Sequence, residues 1–172
     1  MDIKGKTQLI GLIGWPLSHS KSPDMHNAAA AALGLDWAYV PFPVREEDVN
    51  AAVRGLRALG VRGVNVTIPH KQAVMPYLDR IDTAAQVIGA VNTIVITRSA
   101  ESQHSVAVGY NTDWSGFLRD LRHHGVELKG RGCLILGAGG SARACAYALA
   151  SAGGRVHILA RRIDQSEEVA HG

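Results

Sequence analysis

Residues 132–142 read Gly132-Cys133-Leu134-Ile135-Leu136-Gly137-Ala138-Gly139-Gly140-Ser141-Ala142. The apolar run from Cys133 to Leu136 predicts the core of a short buried strand. The glycines predict a tight turn, and the alanine-rich stretch 141–152 predicts a helix. A further β-rich stretch, Arg155–Leu159, completes a strand, turn, helix, strand unit. The turn fits G-x-G-x-x-G/A, the pattern that cradles the pyrophosphate of a dinucleotide. Gly137 permits the turn, Gly139 lets a phosphate approach the backbone, and Ala142 lets the helix pack close to the strand. Ala138, Gly140 and Ser141 complete the loop. The N–H groups that open the helix offer it positive potential. The second strand runs into Ala160-Arg161-Arg162. An NAD site places an acid there to hold the ribose 2′-hydroxyl. Two guanidinium groups favour a 2′-phosphate instead, hence NADP, the plain alternative being a solvated basic turn.

Upstream of this unit the pattern also alternates. Residues 8–13 predict a buried strand. Ser22 suits an N-cap and Pro23 a first helical position, with Met25, Ala28, Ala29, Ala32 and Leu33 at helical spacing before Gly34. Residues 37–44 read as a strand that Pro41 and Pro43 confine to an edge. Residues 46–59 predict a helix with Val49, Ala52, Val53, Leu56 and Leu59 on one face, and residues 63–66 a third strand. Pro69-His70-Lys71 reads as a helix entry, and residues 83–88 as a short helix ending at Gly89. Residues 91–97 and 106–110 predict two strands joined by a polar hairpin over 98–105, followed by a helix over 113–124. The fold class is α/β: a first α/β domain with a mostly parallel sheet over residues 1–112, then a connecting helix and the first half of a Rossmann-type dinucleotide domain over 113–172.

The composition agrees with a soluble chain. It has 172 residues, 47% of them hydrophobic, and a net charge of +3. No apolar stretch approaches the ~18 residues of a membrane helix, and the first residues lack the apolar run of a secretory signal. Cys133 and Cys145 make neither a disulfide framework nor a zinc set; both suit inert packing, and reduced thiols point to the cytoplasm. The basic residues are scattered, which argues against nucleic acid and leaves small anions as ligands. The adjacent His123 and His124 lack the i, i+4 spacing of a metal pair, so no metal is expected; His19 and His26 suit a supporting part, and Trp15 and Trp37 packing.

Four polar clusters close or follow the predicted strands of the first domain, where open α/β sheets bind ligands. They are Ser18-His19-Ser20-Lys21-Ser22-Pro23, Asn65-Val66-Thr67-Ile68-Pro69-His70-Lys71, Asn92-Thr93 and Gly109-Tyr110-Asn111-Thr112-Asp113. Hydroxyls, carboxamides, one lysine and one acid suit a small polyhydroxylated anion. For Lys71 taken alone, a surface lysine is the competing reading; for Asn65 and Asn92 it is a turn residue.

With Gly14-Trp15-Pro16, His26-Asn27, Gly89-Ala90-Val91-Asn92-Thr93 and Gly137-Ala138-Gly139-Gly140, these segments stand in the order found in shikimate dehydrogenases. The chain resembles that family over nearly its whole length. The resemblance implies a reversible, NADPH-dependent reduction of 3-dehydroshikimate to shikimate in aromatic amino-acid (chorismate) biosynthesis, by a monomer or homodimer. It implies that Ser20 and Ser22 hold the substrate carboxylate and that Asn65, Thr67, Asn92 and Asp113 contact its hydroxyls. Lys71 matches the catalytic lysine. A lysine ammonium can stabilise the charge that builds on a ketone oxygen as hydride arrives, and can supply its proton. Asp113 would be its partner and orient the substrate. Family members continue for about a hundred residues beyond a segment of this extent, so the dinucleotide domain is expected to be incomplete here. Two alternatives stay open: a fragment that binds shikimate without turnover, and a relative that uses quinate.

Overall fold

The computed structural model describes residues 3–98 and 104–171. Most of the expected 98–105 hairpin connection lies outside the described residues. The chain divides into two compact units, Met1–Ile81 with Val91–Tyr110, and Asp82–Ala90 with Asn111–Gly172.

The first unit is built on strand β1, Gln8–Gly14, whose end is buried. Helix α1, Ser22–Ala32, follows, then β2, Trp37–Pro43. A 3₁₀ turn, Glu46–Asp48, leads into α2, Val49–Ala58, and then β3, Gly63–Val66. Strands β1, β2 and β3 are parallel, with β1 between the other two. Strand β2 is the sheet edge. In its register Tyr39, Pro41 and Pro43 pair with Ile10, Leu12 and Gly14. These three residues share one parity, and their N–H positions point outward. The two prolines therefore cost the sheet no hydrogen bond. The Tyr39 N–H and C=O are both taken by the Asn27 carboxamide on α1, at 2.8 and 2.9 Å.

The sheet continues from β3 through the pair β5, Thr93–Arg98, and β6, Ser105–Tyr110, to a short edge strand β4, Arg80–Ile81. The order is β2-β1-β3-β5-β6-β4, antiparallel at β3/β5 and β5/β6, where a hairpin replaces a crossover, and parallel elsewhere. The two-residue β4 carries no sequence signal of its own.

The second unit begins with α3, Thr83–Ile88, capped by the Asp82 carboxylate on the Ala84 N–H at 3.1 Å and closed by Gly89 at φ +66°. Then come α4, Asp113–His123, β7, Gly132–Leu136, α5, Gly140–Ser151, β8, Arg155–Leu159, and α6, Ile163–His171. Strands β7 and β8 form a parallel pair. Leu118, Leu128, Ala148 and Leu149 make the core, with Trp114, Phe117, Ile135 and Val156 packed on it.

Several expectations are corrected. Ser22 is the first helical residue of α1 and Lys21 its N-cap, with no side-chain cap. The Ser22 N–H goes to the Ser20 Oγ instead, at 3.3 Å. Pro69-His70-Lys71 opens turns, not a helix. The Lys71 carbonyl accepts from the Val91 N–H at 2.7 Å, so the Met75 N–H turns back to Gln72, at 3.1 Å, and no α-helical ladder propagates. Leu59 lies past the end of α2 and is 76% exposed. Strand β7 is not buried on both faces: Leu134 and Leu136 are exposed, and Cys133 is half-buried. In this two-stranded sheet one face packs on the core and the other has no cover among the described residues. The single cut expected between 112 and 113 is also replaced. Helix α3 belongs to the second unit, because Ile88 and Ala90 pack with Ala144 of α5, beside Trp114 and Tyr147.

Burial ranks the cost of truncation. Ile13, fully buried on β1 between β2 and β3, should lose about 2–5 kcal/mol of stability as Ile13→Ala. The apolar but 74% exposed Leu136 should lose less than about 0.5 kcal/mol as Leu136→Ala. Denaturant unfolding of the two variants checks the contrast.

Candidate active site

In the first unit the polar clusters gather at the carboxyl ends of β1 and β3. Tyr39, 4% exposed, sits under them. Its hydroxyl donates to the Asn65 Oδ1 at 2.9 Å. Asn65 then donates through Nδ2 to the Thr93 Oγ1 at 3.2 Å, and Thr93 donates to the Asn92 Oδ1 at 3.0 Å. The Ser22 side chain also hydrogen-bonds the Tyr39 hydroxyl. Because the phenol proton goes to Asn65, Ser22 is the donor in that bond. Burial pushes the Tyr39 hydroxyl from 10.0 up to about 12, against the opposing effect of the Ser22 bond. The His26 ring stacks on the Tyr39 ring, with centroids 4.3 Å apart and planes within 9°.

Thus Ser22, Tyr39, Asn65, Thr93 and Asn92 form one directed chain, with Ser20 tied to it through the Ser22 N–H. Thr67 stands where β3 ends, its N–H on the Ile13 carbonyl at 2.9 Å and its methyl toward Gly14. Lys71 is half-buried on the turn that follows. His70, fully buried, reaches the Val44 carbonyl through Nε2 at 2.7 Å and ties this turn to the end of β2. Trp15 is 41% exposed and carries the Arg45 guanidinium over its ring at 4.8 Å.

In the second unit Asp113 is the half-buried first residue of α4, and its N–H donates to the Asn111 Oδ1 at 3.0 Å. Gly137, Ala138 and Gly139 line an open cleft of about 930 Å³ with Arg161, Arg162 and Gln165. Gly137 adopts φ +119°, a conformation that side chains rarely enter. Its N–H holds the Leu159 carbonyl at 2.8 Å, fixing the turn to the end of β8. No atom lies within 4 Å of where a Cβ on Gly137 or Gly139 would stand. Gly139 is the N-cap of α5, and Gly140, Ser141 and Ala142 make the first turn. Among the described residues no cluster of three or more metal-binding side chains occurs, and no helix is long and apolar enough to cross a membrane.

Residues 12–94 match the family model of the shikimate dehydrogenase substrate binding domain. The chain is 52% identical over 171 residues to the shikimate dehydrogenase (NADP(+)) of Geobacter metallireducens, covering 98% of this chain and 58% of that protein. The chain belongs to the shikimate dehydrogenase family. Its identity to the family member of Methanothermobacter thermautotrophicus is 53% over 169 residues, 98% of this chain and 57% of that one. Among solved structures, the shikimate dehydrogenase of Aquifex aeolicus matches with a TM-score of 0.89 at 40% identity, over 99% of this chain and 62% of that one. A shikimate dehydrogenase in complex with NADP+ matches at 0.88 and 44% identity, over 99% and 58%. The chain therefore spans a little under three fifths of the length of these curated relatives.

Tyr39 escapes a reading of the sequence for chemistry, whereas Thr93 and the clamp Asn27 stand in its polar segments without roles of their own. Tyr39 lies inside a strand and reads as core. The signal that could have found it is its outward parity beside Pro41 and Pro43 on an edge strand, which leaves its backbone in need of a partner.

The Tyr39 shift fixes a pH dependence. The folded chain holds the phenol proton more tightly than the unfolded chain does. The stabilisation is complete below pH 10 and is lost as pH rises through about 12. Unfolding followed from pH 9 to 12 should show this loss in the parent and a smaller one in Tyr39→Phe. At neutral pH Tyr39→Phe should cost about 1–3 kcal/mol, since it strands the Asn65 oxygen.

Proposed function

We propose that these residues belong to an enzyme that interconverts shikimate and 3-dehydroshikimate with NADP. The observation that carries the reading is the directed polar chain at the sheet ends, beside a half-buried lysine. Its available donors fit an acceptor-rich anion. Ser20 accepts the Ser22 N–H and keeps its own proton for a carboxylate, whereas the Ser22 proton goes to Tyr39. Ser20 is thus the primary carboxylate donor, and Ser22 joins it by turning from Tyr39. Asn65 spends its oxygen on Tyr39 and one N–H on Thr93, which leaves a second N–H for a hydroxyl oxygen. Asn92 and Thr67 extend the hydroxyl-reading set, and Asp113 accepts from a substrate hydroxyl.

The glycine turn fits NADP. Gly137 and Gly139 leave room for phosphates against the backbone, and the start of α5 presents its N–H groups. Arg161 and Arg162 line the same cleft and hold a 2′-phosphate. Bound there, the cofactor supplies a two-electron hydride acceptor. Lys71 takes the hydroxyl proton as the alcohol is oxidised and returns it in the reduction. Its ammonium also stabilises charge on the oxygen. The protein would be cytoplasmic and act on small molecules alone.

Turnover of shikimate with NADP+ by the purified protein, followed by NADPH absorbance, tests this reading. Lys71→Ala should lower kcat by about 10²- to 10⁴-fold and change KM by less than about threefold. An unchanged kcat removes Lys71 from the chemistry. Replacing Arg161 and Arg162 with Ala should weaken NADP+ and leave NAD+ nearly unaffected; equal losses refute the 2′-phosphate role. A second reading is binding without turnover; among the described residues the second unit carries one parallel strand pair, β7 and β8. Shikimate binding by calorimetry with no NADPH formed would select it.

A further inference from the structure

Asn111 lies outside the residues given roles above, yet it is 4% exposed. Both ends of its carboxamide are used on the backbone. Nδ2 donates to the Ala90 carbonyl at 2.9 Å, and Oδ1 accepts from the Asp113 N–H at 3.0 Å. Ala90 and Val91 share one peptide unit, and there the chain passes from the second unit into the first. The carbonyl of that peptide is held by Asn111. Its N–H, on Val91, donates to the Lys71 carbonyl at 2.7 Å. One residue further on, the Asn92 N–H donates to the Tyr110 carbonyl at 3.0 Å, just before Asn111.

A peptide unit is planar and rigid, so its two ends cannot be displaced independently. A tilt of the Ala90 carbonyl is a tilt of the Val91 N–H, and with it of the bond to Lys71. We propose that Asn111 is a positioning residue for both Lys71 and Asp113. It sets Asp113 by accepting the first N–H of α4, and Lys71 through the 90–91 peptide. Only a carboxamide does this. A carboxylate has no proton for the Ala90 carbonyl, and an aliphatic side chain serves neither partner. The proposal rests on the functional reading above for what Lys71 and Asp113 do. It does not rest on that reading for the bonds that hold them.

The test is a comparison of two ligands on the same variants. Asn111→Asp keeps the shape and Asn111→Leu keeps the bulk. Shikimate and NADP+ binding are measured by calorimetry on the parent and both variants. The expected result is a loss of shikimate affinity of about tenfold or more, the scale of one buried hydrogen-bonded contact, with NADP+ affinity within about twofold. NADP+ reports on the glycine turn, which belongs to the same unit as Asn111, so a merely structural defect would weaken both ligands together. Unchanged shikimate affinity, or parallel loss of both ligands, overturns the proposal. If the parent itself binds no shikimate, the functional reading falls, and amide exchange decides the positioning claim. Faster exchange at Val91 in Asn111→Leu, with the interior of α4 still protected, upholds it. Unchanged protection at Val91 overturns it.

Discussion

The edge of the first sheet at Tyr39 is the constraint on which the candidate site depends. An edge strand presents outward N–H and C=O groups that something must satisfy. At two of the outward positions of β2, Pro41 and Pro43, there is no N–H to satisfy. At a third, Tyr39, both backbone groups are clamped by one carboxamide, Asn27. The clamp fixes the ring, and the His26 face holds it in plane. A fixed, buried phenol has a single proton to give, and it gives it to Asn65. From that bond the direction of each following one is determined: Asn65 must donate to Thr93, and Thr93 to Asn92. A constraint on a sheet edge thereby decides which atoms of two carboxamides remain for a ligand.

The second unit solves a different problem by different means. A phosphate needs backbone N–H groups and space, not side-chain direction. Gly137 at positive φ bends the chain directly off β7, and its N–H on Leu159 locks the bend to the end of the neighbouring strand. The same strand end delivers Arg161 and Arg162 to the cleft. Phosphate room and guanidinium charge are brought together by one parallel pairing, Leu136 opposite Leu159. Changes to that register would separate them, because a one-residue slip turns every side chain to the other face.

Much of this was legible in the sequence, and the exceptions have one physical source. Local chemistry announces itself: glycine where φ is positive, proline where an N–H is dispensable, apolar runs where strands are buried. So β1, β3, α3, α5 and the glycine turn stand close to their expected places, and Gly34, Gly89 and Gly125 do adopt the left-handed conformation. What the sequence hides is competition for a shared partner at long range. Residues 69–71 carry the chemistry of a helix entry, but Val91 takes the carbonyl that the helix would use. Ser22 carries the chemistry of an N-cap, but its hydroxyl is drawn to Tyr39. Helix α3 lies in sequence between the two segments of the first unit, yet joins the second because Ile88 and Ala90 find Ala144 there. Tyr39 was hidden for the same reason, since its partners lie 12 and 26 residues away.

The directed chain also bears on selectivity. A pocket that offers N–H and O–H groups from Ser20 and Asn65, with an ammonium nearby, gains most from a ligand whose oxygens accept. Each such donor has surrendered part of its hydration, so a ligand lacking the matching oxygen leaves it unpaired. That penalty exceeds the gain from one good contact. On the proposed function, discrimination would come less from shape than from half-buried donors with a fixed direction. The direction is fixed upstream of the pocket, at Tyr39. A change there would blur recognition at Asn65 and Asn92 together while leaving the ammonium of Lys71 in place. On the proposed function, binding specificity and proton transfer would be separable in the first unit: the phenol-directed carboxamides would carry one, and Lys71 the other.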